Sequence, residues 1–212
     1  MPYRGSYEAE SSSKGPAKWL GFQEVALTDF INKSENYDNL DVYLEIHFRN
    51  ESSQYPYKYN LLGKFEKDAD GRISGENSLL KRILYLTDAI GWNGGVNAKG
   101  EWVDENDKVL EDDVVHLLNA NHTQANYGAS NFDTPLYIYV YKKWSEKNQK
   151  AYPTVCPKIV QNDEAGRRDL EDYIKYMKAN KYIVEHEETE QVRNGAMTSG
   201  SSTTTSGTQT SF

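Results

Sequence analysis

The sequence has few of the residues that form covalent or metal-based cross-links. Cys156 is the single cysteine in 212 residues, which excludes an intrachain disulfide and the usual multi-thiolate zinc sites. No run of about 18 apolar residues is present, which argues against a membrane helix. The stretch before Trp19 lacks the apolar segment of a secretory signal. We therefore expect a soluble protein of a reducing cytoplasm, which would be the host cytoplasm for a viral protein.

Motifs of the common enzyme classes are also missing. The four histidines form no HxH or HExxH pattern, no GxSxG is present, and the glycines from Gly91 onward lack the Lys-Ser/Thr ending of a phosphate loop. Asp41, Glu45 and His47 would share one strand face, as in some metal nucleases, but no lysine follows at the spacing that such nucleases use. We expect no enzymatic activity, no cofactor and no metal site.

Charge is unevenly spread along the chain. The net charge is −8, which argues against simple non-specific adhesion to nucleic acid. Residues 101–113 hold seven acidic residues against one lysine, whereas residues 135–160 hold five lysines against Glu146 alone. The chain also has 16 tyrosines, and tyrosine favours both strands and stacking or interface surfaces.

Two hairpins are the clearest predicted elements. Apolar and polar residues alternate over residues 40–50, which predicts a strand with one buried face. Residues 55–65 return as its partner and complete a hairpin. The same alternation over residues 136–144 predicts a second strand, and residues 150–160, with Pro153 among them, return beside it.

Apolar residues at helical spacing predict two helices. The first covers residues 74–90 and is capped by Ser74 or Asn77, and the second runs from Asn162 or Asp163 to about residue 180. Three other stretches carry weaker patterns.

Residues 19–31 fit either a strand or a short helix, and residues 114–118 suggest a short strand. The sequence from Asp68 to Gly71 begins like a calcium loop, but Leu79 stands where the bidentate glutamate should be, so we predict a turn.

This order of elements predicts a mainly β domain with two helices over residues 19–183. It suits an OB-like five-stranded barrel or a related antiparallel α+β domain with helices on one face of a sheet. We expect a flexible arm at residues 1–18. We also expect a disordered tail at residues 184–212 that is first acidic and then Ser/Thr-rich.

A row of tyrosines and lysines on the second hairpin is the candidate functional surface. Single-stranded nucleic acid is bound by aromatic rings that stack on bases and by cations that contact phosphates. Alternate residues of a strand project from one face at about 7 Å spacing. The alternative is a row of tyrosines packed under a helix or loop. The candidate residues are Tyr137, Tyr139, Tyr141, Lys143, Lys147 and Lys150, extended from the first hairpin by Tyr43, His47, Arg49, Tyr57 and Tyr59.

Over residues 19–183 the sequence resembles small phage-encoded single-stranded DNA-binding proteins with an OB-like core. The hairpin NLDVYLEIHFRNESSQYPYKYNLLGKF, the helix LLKRILYLTDAIGW, the acidic bridge, the hairpin LYIYVYKKWSEKNQKAYPTVCPKIV and a flexible tail ending on Phe212 carry this resemblance. It implies sequence-independent binding of single-stranded DNA in viral DNA replication or recombination. It also implies that the tail recruits replication or recombination enzymes. The last residues depart from the family because they are Ser/Thr-rich instead of acidic.

The competing hypothesis is a structural or protein-interaction component, for example of a virion, whose tyrosine-rich faces are subunit contacts. A homo-oligomer is left open under either hypothesis. If the protein binds DNA, we expect the acidic residues 185–190 to occupy the region of residues 142–150 transiently. This occupancy would weaken binding mainly at low salt, where screening is least.

Overall fold

A computed structural model describes residues 19–51, 55–74, 77–111, 113–124 and 132–184. The predicted arm at residues 1–18 and the tail from residue 185 onward lie outside these residues. The described residues form two antiparallel sheets and three α-helices. The strands are β1 (Gly21–Asn32), β2 (Val42–Arg49), β3 (Tyr57–Gly63), β4 (Gly95–Val96), β5 (Trp102–Val103), β6 (Leu136–Ser145), β7 (Lys150–Val155) and β8 (Val160–Gln161). The helices are α1 (Ser78–Ala89), α2 (Val114–His122) and α3 (Glu164–Ala179).

The two predicted hairpins are confirmed. Strands β2 and β3 pair antiparallel from Val42 opposite Gly63 to Phe48 opposite Tyr57, and the apolar residues of β2 point into the core. Strands β6 and β7 pair antiparallel in the same way, with Ser145 opposite Lys150 at the turn. Side-chain alternation with one buried face is therefore the signal that located both hairpins.

Residues 19–31, which fitted a strand or a helix, lie mostly in the long strand β1. Its first half, Gly21 to Val25, pairs with β6, and its second half pairs with β2. The register with β2 shifts between Leu27 and Asp29, and an irregularity of this kind bends a strand. One bent strand thus joins both hairpins in a sheet of order β3-β2-β1-β6-β7, with β8 also paired to β6.

This sheet is not a closed barrel, so closure into a five-stranded barrel is not observed. The edge strands β3 and β7 approach each other, and the Tyr57 hydroxyl donates a hydrogen bond of 2.6 Å to the Pro153 carbonyl oxygen. Two features oppose a backbone ladder between these edges. Pro153 has no N–H to donate, and the Arg82 guanidinium donates to the carbonyl oxygens of Asn60 at 3.0 Å and Leu62 at 3.3 Å.

Helices α1 and α3 confirm the two predicted helices, with a later start for the first. Asn77 caps α1 by accepting from the backbone N–H groups of Leu79 and Leu80, so the cap is Asn77 and not Ser74. Asp163 caps α3 by accepting from the N–H of Gly166 at 2.7 Å. Side-chain oxygens at these positions satisfy N–H groups that have no partner within the helix.

The prediction of a short strand at residues 114–118 is wrong, because these residues form the start of helix α2. The Asp113 carboxylate accepts from the backbone N–H of Val115 at 3.1 Å and caps the helix. Val114, Val115 and Leu118 are buried, a spacing that fits one face of a helix. The described residues therefore hold three α-helices, not two.

The interior is divided between two apolar clusters. The larger cluster lies between the inner face of the sheet and helices α1 and α2. A smaller cluster lies on the other face of β6 and includes Leu170 and Ile174 of α3. Both faces of β6 are consequently covered from Leu136 to Tyr141, and the end of the strand is not. Among the described helices none is both long enough and apolar enough to span a membrane.

Candidate nucleic-acid interface

The predicted row of tyrosines on β6 is packed under helix α3. Tyr137, Tyr139 and Tyr141 are 8%, 4% and 9% exposed and lie in the smaller cluster. The guanidinium of Arg167 lies 5.2 Å from the centre of the Tyr137 ring, and the ammonium of Lys178 lies 5.0 Å from that of Tyr139. The row is therefore packed rather than exposed. This corrects the expectation that bases stack along it, because α3 occupies the space that they would need.

A groove between the edge strands β3 and β7 brings other predicted residues together. It has a volume of about 340 Å³ and lies where the sheet fails to close. We call it the β3–β7 groove. Its lining residues are Tyr57, Lys58, Tyr59, Asn60, Arg82, Tyr141, Lys143, Pro153, Thr154, Val155 and Pro157. Four of the predicted site residues, Tyr57, Tyr59, Tyr141 and Lys143, are among them.

The charge of the β3–β7 groove is positive. Arg82 and Lys143 line it together with Lys58, whose ammonium also donates to the Glu45 carboxylate behind the groove at 3.3 Å. The described residues contribute no carboxylate to the lining itself. Arg82 donates to the hydroxyl oxygen of Tyr59 at 3.0 Å and to two backbone carbonyl oxygens. These acceptors are neutral, so they hold the guanidinium in place without cancelling its charge. An anion in the groove would meet cations held by the protein.

The tyrosines of the groove differ in how they are held. The Tyr57 ring is half-buried and packs against Trp19, with the ring centres 5.5 Å apart. Burial raises the pKa of Tyr57 to about 12, so its hydroxyl stays protonated and keeps its hydrogen bond to Pro153. Tyr59 is only 7% exposed and lies under the Arg82 guanidinium, 5.6 Å from the ring centre. Tyr57 is therefore the tyrosine on β3 that offers surface to a ligand.

The turn between β6 and β7 extends the basic surface. Lys147 and Lys150, which are both among the predicted site residues, are exposed there. Lys143 and Tyr152 are directly opposite each other in the β6–β7 pair, so their side chains project from the same face. Tyr152 is 42% exposed, and the Lys150 ammonium lies 6.0 Å from its ring centre. We call this set, Lys143, Lys147, Lys150 and Tyr152, the hairpin tip.

The remaining predicted residues lie on the outer face of β2. Tyr43, His47 and Arg49 alternate with buried residues and are partly exposed. Glu45 lies between Tyr43 and His47 and is 7% exposed. Its carboxylate accepts hydrogen bonds from Lys33 and Lys58 and is also hydrogen-bonded to the His47 ring. The hydrogen bond from Lys33 and then the one from His47 are the main reasons that the pKa of Glu45 falls to about 2.

The structure gives no support to a metal-dependent centre in the described part of the chain. No group of three or more His, Cys, Asp or Glu side chains that could hold a metal ion occurs among these residues. The Asp41 carboxylate accepts from the backbone N–H of Phe65 at 2.8 Å and so has a structural role. The predicted turn at Asp68 is confirmed, because its carboxylate accepts from the N–H groups of Asp70 and Arg72.

Three residues of the site were missed in the sequence. Lys58 stands between Tyr57 and Tyr59 in the strand pattern, so its place beside the tyrosines could have been noted. Tyr152 could have been found by pairing the two strands of the second hairpin. No sequence pattern pointed to Arg82, because it is one of several polar residues on α1 and reaches the groove only through tertiary packing.

Comparisons with known proteins do not assign the chain to a family. No protein-family model, no curated protein and no solved structure matches it. The resemblance to phage single-stranded DNA-binding proteins stays a prediction from the sequence pattern.

Proposed function

We propose that the protein binds single-stranded DNA without sequence preference, in viral DNA replication or recombination. The observation that carries the proposal is the β3–β7 groove, in which aromatic rings and cations meet without a carboxylate among the described lining residues. The hairpin tip continues the same chemistry on the protein surface. No residue of the proposed site is assigned a catalytic role.

The chemistry of the site fits a single strand. Phosphates would contact Lys143, Lys147 and Lys150, and bases would stack on Tyr57 and Tyr152. Each base stacked on an aromatic side chain contributes about 1–3 kcal/mol. Every base has a flat face, so binding of this kind discriminates little between sequences.

The strand order supports an OB-like interpretation of the open sheet. Strand β1 pairs with both β2 and β6, α1 lies between β3 and β6 in the chain, and β3 and β7 approach at the open edge. In OB folds, oligonucleotides bind across the second and third strands and the adjoining loops. Here the β6–β7 turn matches one of the adjoining loops and β3 matches the third strand, so the hairpin tip and one wall of the groove lie in part of that region, whereas the outer face of β2 does not belong to the proposed site.

Charge removal at the hairpin tip tests the proposal. The double variant Lys143→Gln/Lys147→Gln should weaken binding of fluorescent oligo-dT at least several-fold, because two cations that would neutralise phosphates are removed. The matched control is Lys64→Gln/Lys99→Gln, which removes two exposed lysines outside the groove and the tip. Equal affinities for the two double variants would reject the proposed site, and a wild-type protein that does not bind oligo-dT would reject the function.

A protein-interaction role is the second candidate, and one surface favours it. Tyr176 and Tyr182 are 58% and 66% exposed, Val184 is 51% exposed, and the two tyrosine rings lie 6.4 Å apart. Exposed aromatic side chains are enriched at protein interfaces. Under this alternative, Tyr176→Ser/Tyr182→Ser should reduce self-association in analytical ultracentrifugation and leave oligo-dT binding unchanged. A wild-type protein that stays monomeric at every concentration measured would count against self-association as its role.

A further inference from the structure

Glu45 is hydrogen-bonded to three basic side chains on the outer face of β1, β2 and β3. Its carboxylate accepts a hydrogen bond of 2.5 Å from Lys33 and one of 3.3 Å from Lys58, and it lies 2.9 Å from Nε2 of His47. The three partners come from three different segments, because Lys33 directly follows β1, His47 lies in β2 and Lys58 lies in β3. We call Lys33, Glu45, His47 and Lys58 the Glu45 cluster.

The Glu45 cluster is close to electrically neutral. Asp29 adds a second carboxylate, 3.8 Å from Nδ1 of His47. Lys33 and Lys58 both contact Glu45, and counted together with Asp29 the cluster has two lysines and two carboxylates, so its formal charges cancel when the imidazole is uncharged. Lys58 belongs to both the cluster and the groove lining, but the other cations of the β3–β7 groove and the hairpin tip, Arg82, Lys143, Lys147 and Lys150, are not bonded to Glu45. Glu146 is the acidic residue of the β6–β7 turn.

This difference decides where a polyanion binds. A phosphate that approached Lys33 would have to displace a short hydrogen bond and would lie beside a buried carboxylate. Like charges brought together at an interface are a strong means of rejecting a wrong binding mode. A phosphate that approaches Lys143 or Lys147 meets neither obstacle.

We propose that Glu45 is a specificity-determining residue that keeps single-stranded DNA off the outer face of β1, β2 and β3 and confines it to the β3–β7 groove and the hairpin tip. It does so by holding Lys33, His47 and Lys58 in internal pairs. The inference rests on the proposed function. It also means that the predicted residues Tyr43 and His47 do not contact DNA in the wild-type protein.

Neutralising Glu45 should therefore increase binding. Glu45→Gln frees the two lysines and should tighten oligo-dT binding several-fold at low salt. It should also steepen the fall of log Kobs with log[salt] by about 0.7 for each additional phosphate that the freed lysines neutralise. Glu66→Gln is the matched control, because it makes the same change in net charge at an exposed position away from the cluster. A Glu45→Gln affinity equal to or weaker than that of Glu66→Gln would overturn the inference.

Lysine acetylation of the wild-type protein gives a second measurement that does not depend on the folding of a variant. Bound oligo-dT should protect Lys143 and Lys147 from acetylation and leave Lys33 as reactive as in the free protein. Protection of Lys33 would overturn the inference. In Glu45→Gln, Lys33 should become protected as well.

The outcomes separate this inference from the proposed function. If the wild type binds oligo-dT but Glu45→Gln behaves like Glu66→Gln, the function stands and the role of Glu45 fails. If the wild type does not bind while Glu45→Gln does, the function fails, and with it the claim that Glu45 confines DNA to the groove and tip, although Glu45 still shields Lys33 and Lys58 from a polyanion. If neither binds, both fail.

Discussion

At the scale of single residues, the tyrosines of the β3–β7 groove have separate roles. Tyr59 and Tyr141 are 7% and 9% exposed and contribute mainly to packing. Tyr57 packs on Trp19, and its hydroxyl donates a hydrogen bond to the Pro153 carbonyl oxygen, yet its side chain is partly exposed. The ring and the hydroxyl of Tyr57 can therefore be tested separately.

Two substitutions at Tyr57 should have different effects on DNA binding. Tyr57→Ala removes the ring and should cost about 1–3 kcal/mol of oligo-dT binding if a base stacks there. Tyr57→Phe keeps the ring and should bind like the wild type, while losing about 1 kcal/mol of stability with the hydrogen bond to Pro153. Fluorescence titration and urea denaturation of both variants check this. Equal losses of affinity in the two variants would exclude stacking on this ring.

The lowered pKa of Glu45 predicts that the stability of the protein depends on pH. Its pKa falls from an ordinary 4.5 to about 2 in the folded protein, so the ionised form is stabilised by folding. This contribution is fully present above pH 4.5 and is lost as the pH falls towards 2. The wild type should be more stable than Glu45→Gln at pH 7, and the difference should shrink between pH 4.5 and pH 2. Denaturant melts of both proteins across this range test the prediction, and a difference independent of pH would contradict it.

At the scale of the elements, strands with a clear alternation of side chains could be predicted from the sequence. Features that depend on tertiary packing, such as which strand faces are covered, could not. The alternation in β2 and β6 located both hairpins. In β6 it also placed Tyr137 and Tyr139 on one face, but no period states which faces of a strand are covered. Leu170 and Ile174 of α3 cover the tyrosine face, and their position over β6 depends on the whole fold.

Helix α2 was misread because its first two residues, Val114 and Val115, are β-branched and favour strands. The deciding residue is Asp113, which caps the helix. Asp113→Ala should therefore lower the free energy of unfolding by about 1 kcal/mol. Asp113→Asn keeps a capping oxygen and should stay close to the wild type. Thermal denaturation of both variants checks this, and the same loss in each would assign the effect to charge instead of capping.

At the scale of the whole molecule, opposite charges are held on separate parts of the chain. The net charge is −8, and the acidic residues 101–113 include the end of the small β4–β5 sheet. The cations of the groove and hairpin tip lie on the large sheet instead. A DNA strand would thus bind to one basic region of an acidic protein, and long-range attraction would be weak. The predicted competition from residues 185–190 lies outside the described residues and stays a prediction.

The salt dependence of oligo-dT binding by the wild-type protein is the most direct test of the central claim. Contacts between three or four phosphates and the lysines of the groove and tip predict that log Kobs falls linearly with log[salt], with a slope of about −2 to −3. Binding should be tight enough to measure at low salt and should be similar for oligo-dT and mixed sequences of equal length. Absence of binding at low salt, or an affinity that does not change with salt, would contradict the account.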